Sequence, residues 1–406
     1  MDANYLVVLV TIADAEAGAA LGRTLVEEAL AACVQVIPGG TAIYRWQGAL
    51  HTDAMAQLII KTRLNVWPAL RSRIVELHAD EVPEILALPV RDGLPAYLRW
   101  VEEMTTAAAP EIARQPAPLI GPPATAWLDY ANVYPRGQHT VSGTIRILRS
   151  LASPQLGNCR DLLVYLPPSY AESERRYPVL YMHDGQNLFD AATSFAGEWY
   201  ADEAMEMLAR QGLEAIIVGI PNIGERRFHE YIPFASPELA EVQGEEYVAF
   251  IADTVKPIID RDFRSRPERE ATGVAGSSLG GLISLYAYFR RPEVFGLAGV
   301  FSPAFRWGKR GIFSFVSHAD FAPGKIYMDV GTAEGVGLAD TRHAQRSFAF
   351  QYLRHVRRMD EMLCRKGYRP GASLRYVEEE GGIHHESAWA RRLPDALRFL
   401  LSGIDA

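Results

Sequence analysis

The sequence predicts an α/β protein in two parts: a small ferredoxin-like α+β sandwich, then a larger, mostly parallel α/β sheet covered on both faces. Three observations lead there. The 406 residues exceed what one core comfortably fills. A Pro- and Ala-rich stretch at 107–127 divides the chain, because proline removes backbone donors and disfavours helix in the residue before it. Apolar runs and helix-period segments then follow one another differently on either side of that stretch. The expected organisation is residues 1–106, a linker at 107–127, and residues 128–406.

In the first part, 5–11 is an apolar, β-branched run, and 15–32 places Ala19, Leu21, Leu25, Ala29 and Leu30 at helical spacing. Residues 33–37, a Pro38-Gly39-Gly40 turn, 41–46 and 54–61 read as antiparallel strands. A helix at 66–77, a strand at 85–89 and a helix carrying Tyr97, Leu98 and Val101 complete a repeated strand-helix-strand unit. In the second part, strands are expected at 162–165, 179–182, 215–220, 273–275, 296–301, 326–330 and 374–377. Helices are expected at 246–259, 282–289, 344–364 and 387–401. Open sheets of this kind bind ligands beyond the carboxyl ends of their strands, so catalytic residues are sought just after strands.

Composition narrows the function. With 41 basic against 49 acidic residues the net charge is -8, and that field repels nucleic acid and anionic membrane; neither is an expected partner. Cys33, Cys159 and Cys364 show no paired spacing, which argues against a disulfide framework or a thiolate metal knuckle and for a reducing compartment. No apolar run reaches the ~18 residues of a spanning helix, and Met1-Asp2-Ala3-Asn4 lacks a basic leader region, so a soluble, cytoplasmic protein is expected.

The chemistry concentrates at Gly276-Ser277-Ser278-Leu279-Gly280, between a strand and a helix. G-x-S-x-G needs small residues two before and two after the serine, because the nucleophile sits on a sharp strand-to-helix turn. Ser278 is the expected nucleophile, with the Leu279 N–H as one oxyanion donor; the competing reading is that these glycines only permit close helix packing. A hydroxyl needs a base, which in this arrangement comes last in the chain, and His384 is preferred over His385 because Glu386 and Trp389 open the next helix. The acid should follow the preceding strand: Glu334 ranks first, Asp340 second and Asp329 third. The second oxyanion donor is expected from His183-Asp184-Gly185-Gln186-Asn187, at the N–H of Gln186; the alternative is a His183-Asp184 metal pair. The loops at 186–199 and 305–321 are expected to shape the substrate pocket, with Asn187, Trp199, Tyr200, Trp307 and Phe315 as candidate contacts.

From about residue 160 onward the chain resembles the esterases of the α/β-hydrolase superfamily that include esterase D, enterochelin esterases and feruloyl esterases. The resemblance rests on the segment from Tyr181 to Phe189, on Asn222 with Arg226 and Glu230-Tyr231-Ile232-Pro233, on the elbow itself, and on Phe301-Ser302-Pro303-Ala304-Phe305. It implies cleavage of a small-molecule carboxylic ester by a Ser278-His384-Glu334 triad without a required cofactor, and adds Asn222 and Arg226 as substrate contacts. The first 105 residues resemble the CutA-type divalent-cation tolerance proteins through Leu30-Ala31-Ala32-Cys33-Val34, Pro38-Gly39, Tyr44-Arg45-Trp46-Gln47-Gly48, Lys61-Thr62, His78 and Val82-Pro83-Glu84. That resemblance implies a homotrimer and a divalent metal at this part, with Cys33, His78 and Glu84 as candidate ligands. By physics alone Cys33 is a buried small hydrophobe and His78 a helix-end cap. The other reading of the whole chain is a metal-tolerance protein whose hydrolase-like part binds without catalysing.

Overall fold

The computed structural model describes residues 5–46, 49–78, 80, 83–90, 92–105, 126–134, 139–194, 197–236, 239, 241–336 and 342–404. The chain divides into two compact units, Met1–Leu119 and Ile120–Ala406. The expected linker lies outside the described residues except for Ala126 and Trp127.

In the first unit β1 (Tyr5–Ile12) is followed by α1 (Ala15–Glu27), β2 (Cys33–Trp46), β3 (Ala49–Arg63), α2 (Trp67–Leu77), β4 (Ile85–Pro89) and α3 (Pro95–Met104). The sheet order is β2-β3-β1-β4, entirely antiparallel, which is the ferredoxin-like arrangement. Asp14 starts α1 by accepting the N–H groups of Glu16 and Ala17. The helix is shorter than its apolar spacing suggests. Ala29 adopts φ 53°, and Leu30 and Ala31 fold back onto the Leu25 carbonyl, so the tail of the pattern packs as a turn. The expected Pro38-Gly39-Gly40 turn is instead a bulge inside one long strand, with a register shift between Ile37 and Gly40 and Gly39 at φ 80°.

The second unit contains β5 (Leu128–Asp129), α4 (Tyr130–Val133), β6 (Thr144–Ser153), β7 (Asn158–Leu166), β8 (Val179–His183), α5 (Ala201–Ala209), β9 (Ile216–Ile220), α6 (Arg227–Tyr231), α7 (Gly244–Phe250) and α8 (Lys256–Asp262). Then come β10 (Thr272–Ser277), α9 (Leu279–Arg290), β11 (Leu297–Phe301), α10 (Gly311–His318), β12 (Lys325–Gly331), α11 (Arg342–Lys366), β13 (Leu374–Glu379) and α12 (Glu386–Leu401). The nine strands run β13-β12-β11-β10-β8-β9-β7-β6-β5, parallel from β13 to β9 and antiparallel beyond. This is an α/β-hydrolase-type sheet, and the chain reverses direction across it at β8, between β9 and β10.

Side chains of the inner strands alternate between two cores. Val179, Tyr181, Val218, Val274 and Val300 enter one with Leu282 and Val356; Leu180, Met182, Ile217, Ala275 and Phe301 enter the other with Leu393 and Leu397. Both faces are therefore covered, which is why these strands read as continuous apolar runs. The helix expected at 246–259 is broken: a wide π turn at Ile251–Val255 separates α7 from α8, where Pro257 cannot donate to the ladder. The segment expected as a loop at 305–321 contains α10.

Candidate active site

Ser278 is the single residue between β10 and α9, at φ 57° and ψ −116°. Such a backbone costs a non-glycine residue about 1–3 kcal/mol and persists only where surroundings enforce it. They do here. A Cβ at Gly276 would stand 2.8 Å from His183 Cδ2, and one at Gly281 2.9 Å from the Phe301 carbonyl. The Ser278 N–H donates to that Phe301 carbonyl at 3.0 Å, and its own carbonyl receives Ala304 N–H at 2.9 Å.

Glu334 follows β12 and is fully buried. Its Oε2 lies 2.6 Å from His384 Nδ1, and its Oε1 accepts Gly331 N–H at 2.6 Å and the Ser302 hydroxyl at 2.5 Å. Burial pushes this carboxyl up, but the hydrogen bond and charge of His384, with those of Ser302 and Gly331, hold it below its ordinary value. It is a carboxylate. His384 sits just before α12, its ring edge-on to Tyr352 at 5.3 Å and to Trp389 at 5.1 Å. Buried Tyr352 also lies next to the Ser278 side chain. One residue thus neighbours both Ser278 and His384, and Glu334 at Nδ1 leaves Nε2 as the ring nitrogen open to proton transfer.

The rival residues go elsewhere. His385 is exposed and caps α12 by accepting Ser387 N–H. Asp329 is buried in β12, holding Ser302 N–H at 3.0 Å and facing Arg392 at 2.9 Å. Asp340 lies outside the described residues.

The other expected oxyanion donor sits in a one-turn 3-10 helix, Gly185–Asn187, just after β8. A Cβ at Gly185 would come within 2.5 Å of the Gly219 carbonyl carbon, so only glycine lets this turn lie against β9. Asp184 precedes it at φ 56°. Its carboxylate takes Arg227 in bidentate fashion (2.7 and 2.8 Å) and Asn222 Nδ2 at 2.7 Å. Burial raises the Asp184 carboxyl, yet the Arg227 charge and these hydrogen bonds keep it below its ordinary value. Asn222 N–H donates to Gln186 Oε1 at 3.2 Å. Burial drives His183 down to about 3, and its Nδ1 meets the Tyr247 hydroxyl at 2.9 Å. With Asp184 saturated by Arg227 and Asn222, the His183-Asp184 pair is structural bracing rather than a metal pair.

Residues 153–400 match the family model Esterase, described as "Putative esterase", and residues 6–104 match CutA1, described as "CutA1 divalent ion tolerance protein". The chain belongs to the esterase family and carries a CutA1 domain. "Divalent-cation tolerance protein CutA" of Thermus thermophilus is 46% identical over 99 residues, 24% of this chain and 96% of that protein. "Uncharacterized protein YbbA" of Bacillus subtilis is 25% identical over 257 residues, 62% of this chain and 96% of that protein. The crystal structure of BES protein from Bacillus cereus superposes with a TM-score of 0.50 at 21% identity, over 65% of this chain and 97% of that one, and so shares the fold of the esterase domain.

Two of the expected substrate contacts differ in their surroundings. Trp199 is buried in the core against Phe301 and Trp389, at 5.1 and 5.7 Å, because an indole this large is worth more packed than wet. Arg226 is exposed; it is the next residue, Arg227, that opens α6 and turns toward Asp184. Asn187 is buried, with Nδ2 3.4 Å from Glu386 Oε1. Glu386, which the sequence suggested only as a helix start, is a further polar group beside this turn, pushed up to about 7 by burial with Asp184's charge adding. In the CutA1 domain, Cys33 is half-buried at the start of β2 and Glu84 is exposed. His78 is engaged at both ring nitrogens, Nε2 at the Thr11 carbonyl (2.8 Å) and Nδ1 accepting Asp80 N–H (3.0 Å), which removes it as a ligand in this conformation.

Proposed function

We propose that the esterase domain, residues 128–406, is a serine hydrolase of carboxylic esters, mounted on a homotrimer built by the CutA1 domain, residues 1–106. The single observation carrying the catalytic reading is the 2.6 Å bond between Glu334 and His384, the acid and base expected for the Ser278 elbow. Ser278 Oγ attacks the ester carbonyl while His384 Nε2 takes its proton, and Glu334 stabilises the imidazolium. The N–H groups of Leu279 and Gln186, both in first helical turns, meet the oxyanion. The leaving alcohol takes the proton from His384, and water then releases the acid by the same relay. Protein groups supply every step.

The trimer reading is supported by the outer face of the first sheet. Val7, Leu9 and Ile59 are only half-buried there, and their neighbours Leu86 and Leu88 are 51% and 48% exposed. An open apolar face of this kind marks an interface. From the description of its family we extend divalent-cation association to this domain, and three unpaired cysteines suit a reducing, cytoplasmic setting.

Turnover of p-nitrophenyl acetate by the full chain tests the enzyme: Ser278→Ala should lose at least about 10³-fold in kcat. Equal activity in wild type and variant would sink the proposal.

A further inference from the structure

Three acids crowd one spot at the start of α5, apart from the Ser278 machinery. Glu198, Asp202 and Glu203 each offer a carboxylate oxygen, and these oxygens lie within 4.8 Å of one another. They are not ordinary surface acids: Asp202 is 0% and Glu198 4% exposed. Glu198 Oε2 accepts the Thr140 hydroxyl at 2.8 Å, Asp202 Oδ2 accepts Ser142 N–H at 2.6 Å, and Glu203 Oε1 lies 3.4 Å from Ser142 Oγ. The remaining oxygens, Glu198 Oε1, Asp202 Oδ1 and Glu203 Oε2, are buried and receive no hydrogen bond from any donor among the described residues.

Nearby Asp190 shows the contrast. It takes the Tyr130 hydroxyl at 2.6 Å, His139 Nδ1 at 2.6 Å and Ala192 N–H at 3.0 Å, and so needs nothing more. The charges acting most strongly on Glu198 and Asp202 are instead other acids, Glu203 and Asp190. Burying carboxylates without donors or a counter-charge costs several kcal/mol per group, more than the few bonds present return.

We propose that Glu198, Asp202 and Glu203 form a site for one hard divalent cation, calcium foremost. An all-oxygen, all-carboxylate set suits Ca²⁺ rather than thiolate-seeking metals, and Ca–O bonds of about 2.3–2.6 Å span oxygens this far apart. The cation would tie the segment carrying Thr140 and Ser142 to the head of α5. It would also hold Trp199, the residue after Glu198, against Trp389, which in turn backs His384. The proposal does not depend on the esterase reading.

The test uses EDTA-treated full-length protein and Ca²⁺, comparing wild type with Asp202→Asn and Glu203→Gln. Any cation held by the CutA1 domain is common to all three and cancels. Wild type should bind one more Ca²⁺ per chain than either variant by calorimetry. At about 100-fold over Kd, Ca²⁺ should raise the unfolding transition of the esterase domain by roughly 5 °C or more in wild type and not in the variants. Should Asp202→Asn not fold, Glu203→Gln at the less buried rim carries the comparison. Equal stoichiometry and equal shifts in all three proteins, or no shift in wild type, would overturn the site.

Discussion

The two units cover their sheets in opposite ways. In the esterase domain, adjacent residues of each inner strand enter different cores, and helices close both faces. In the CutA1 domain, Leu6, Val8, Val10 and Ile12 pack against Leu21 and Leu25 of α1 and Leu70 and Ile74 of α2, while the other face meets the end of α3 at Tyr5 and Arg63 and leaves Leu86 and Leu88 exposed. Among the described residues, fourteen of the twenty-one exposed large apolar side chains belong to this smaller unit. One unit completes its core within a single chain, and the other leaves apolar side chains exposed on its sheet, the face proposed above for assembly. Chemistry and assembly are therefore separable, and substitutions should show it.

The largest expected effect is on the chemistry side. Glu334→Ala removes the acceptor for His384 Nδ1 and should lower kcat by about 10³–10⁴-fold, with the mass by light scattering unchanged. The counterpart is Leu88→Asp on the open face, which should reduce a three-chain mass to one chain while activity per chain stays the same. If Leu88→Asp abolishes turnover in a folded protein, the two units are not independent and the separation fails.

An intermediate effect should come from behind the triad. The Ser302 hydroxyl donates to Glu334 and accepts Trp389 Nε1 at 3.0 Å and Arg392 at 2.9 Å. Ser302→Ala should cost about 10–100-fold in kcat with little change in KM, as expected for a positioning residue. It carries a second signature. Ser302 helps hold the Glu334 carboxyl down, so without it the acid-side loss of activity should move to higher pH. An unmoved acid limb would reduce Ser302 to a packing role.

How much of this could be read from the residues alone follows the same division. Strand cores and the order of motifs were legible because continuous apolar runs mark strands covered on both faces, and the strand-turn-helix context of the glycine elbow favours a nucleophile over mere packing. The partner of Asp184 was not: Arg226 and Arg227 are adjacent, and only the phase of α6 decides which turns inward. Trp199 looked like a pocket wall because aromatic residues serve cores and pockets alike. The bulge in β2 was hidden since Pro38-Gly39-Gly40 is equally good chemistry for a turn. The acid cluster near α5 was invisible, because Glu198 and Asp202 are spaced like any helix-start acids until burial is known.

The smallest effect concerns Glu386, which opens α12 beside Asn187. Its folded value, pushed up to about 7 by burial, lies above its ordinary one, so the folded state holds the proton more tightly than the unfolded chain. The stabilisation is fully present below the ordinary carboxyl value and is lost as pH rises through that value toward 7. Glu386→Gln cannot ionise, so between pH 5 and 8 it should lose about 1–3 kcal/mol less stability than wild type, as expected for a shift of this size. The charge at the start of α12 returns at most about 0.3–1 kcal/mol through the helix dipole, too little to reverse that sign. Parallel pH profiles in wild type and variant would show Glu386 to be a solvated surface acid. The closed core of the esterase domain would then be open at the corner where its polar turn meets α12.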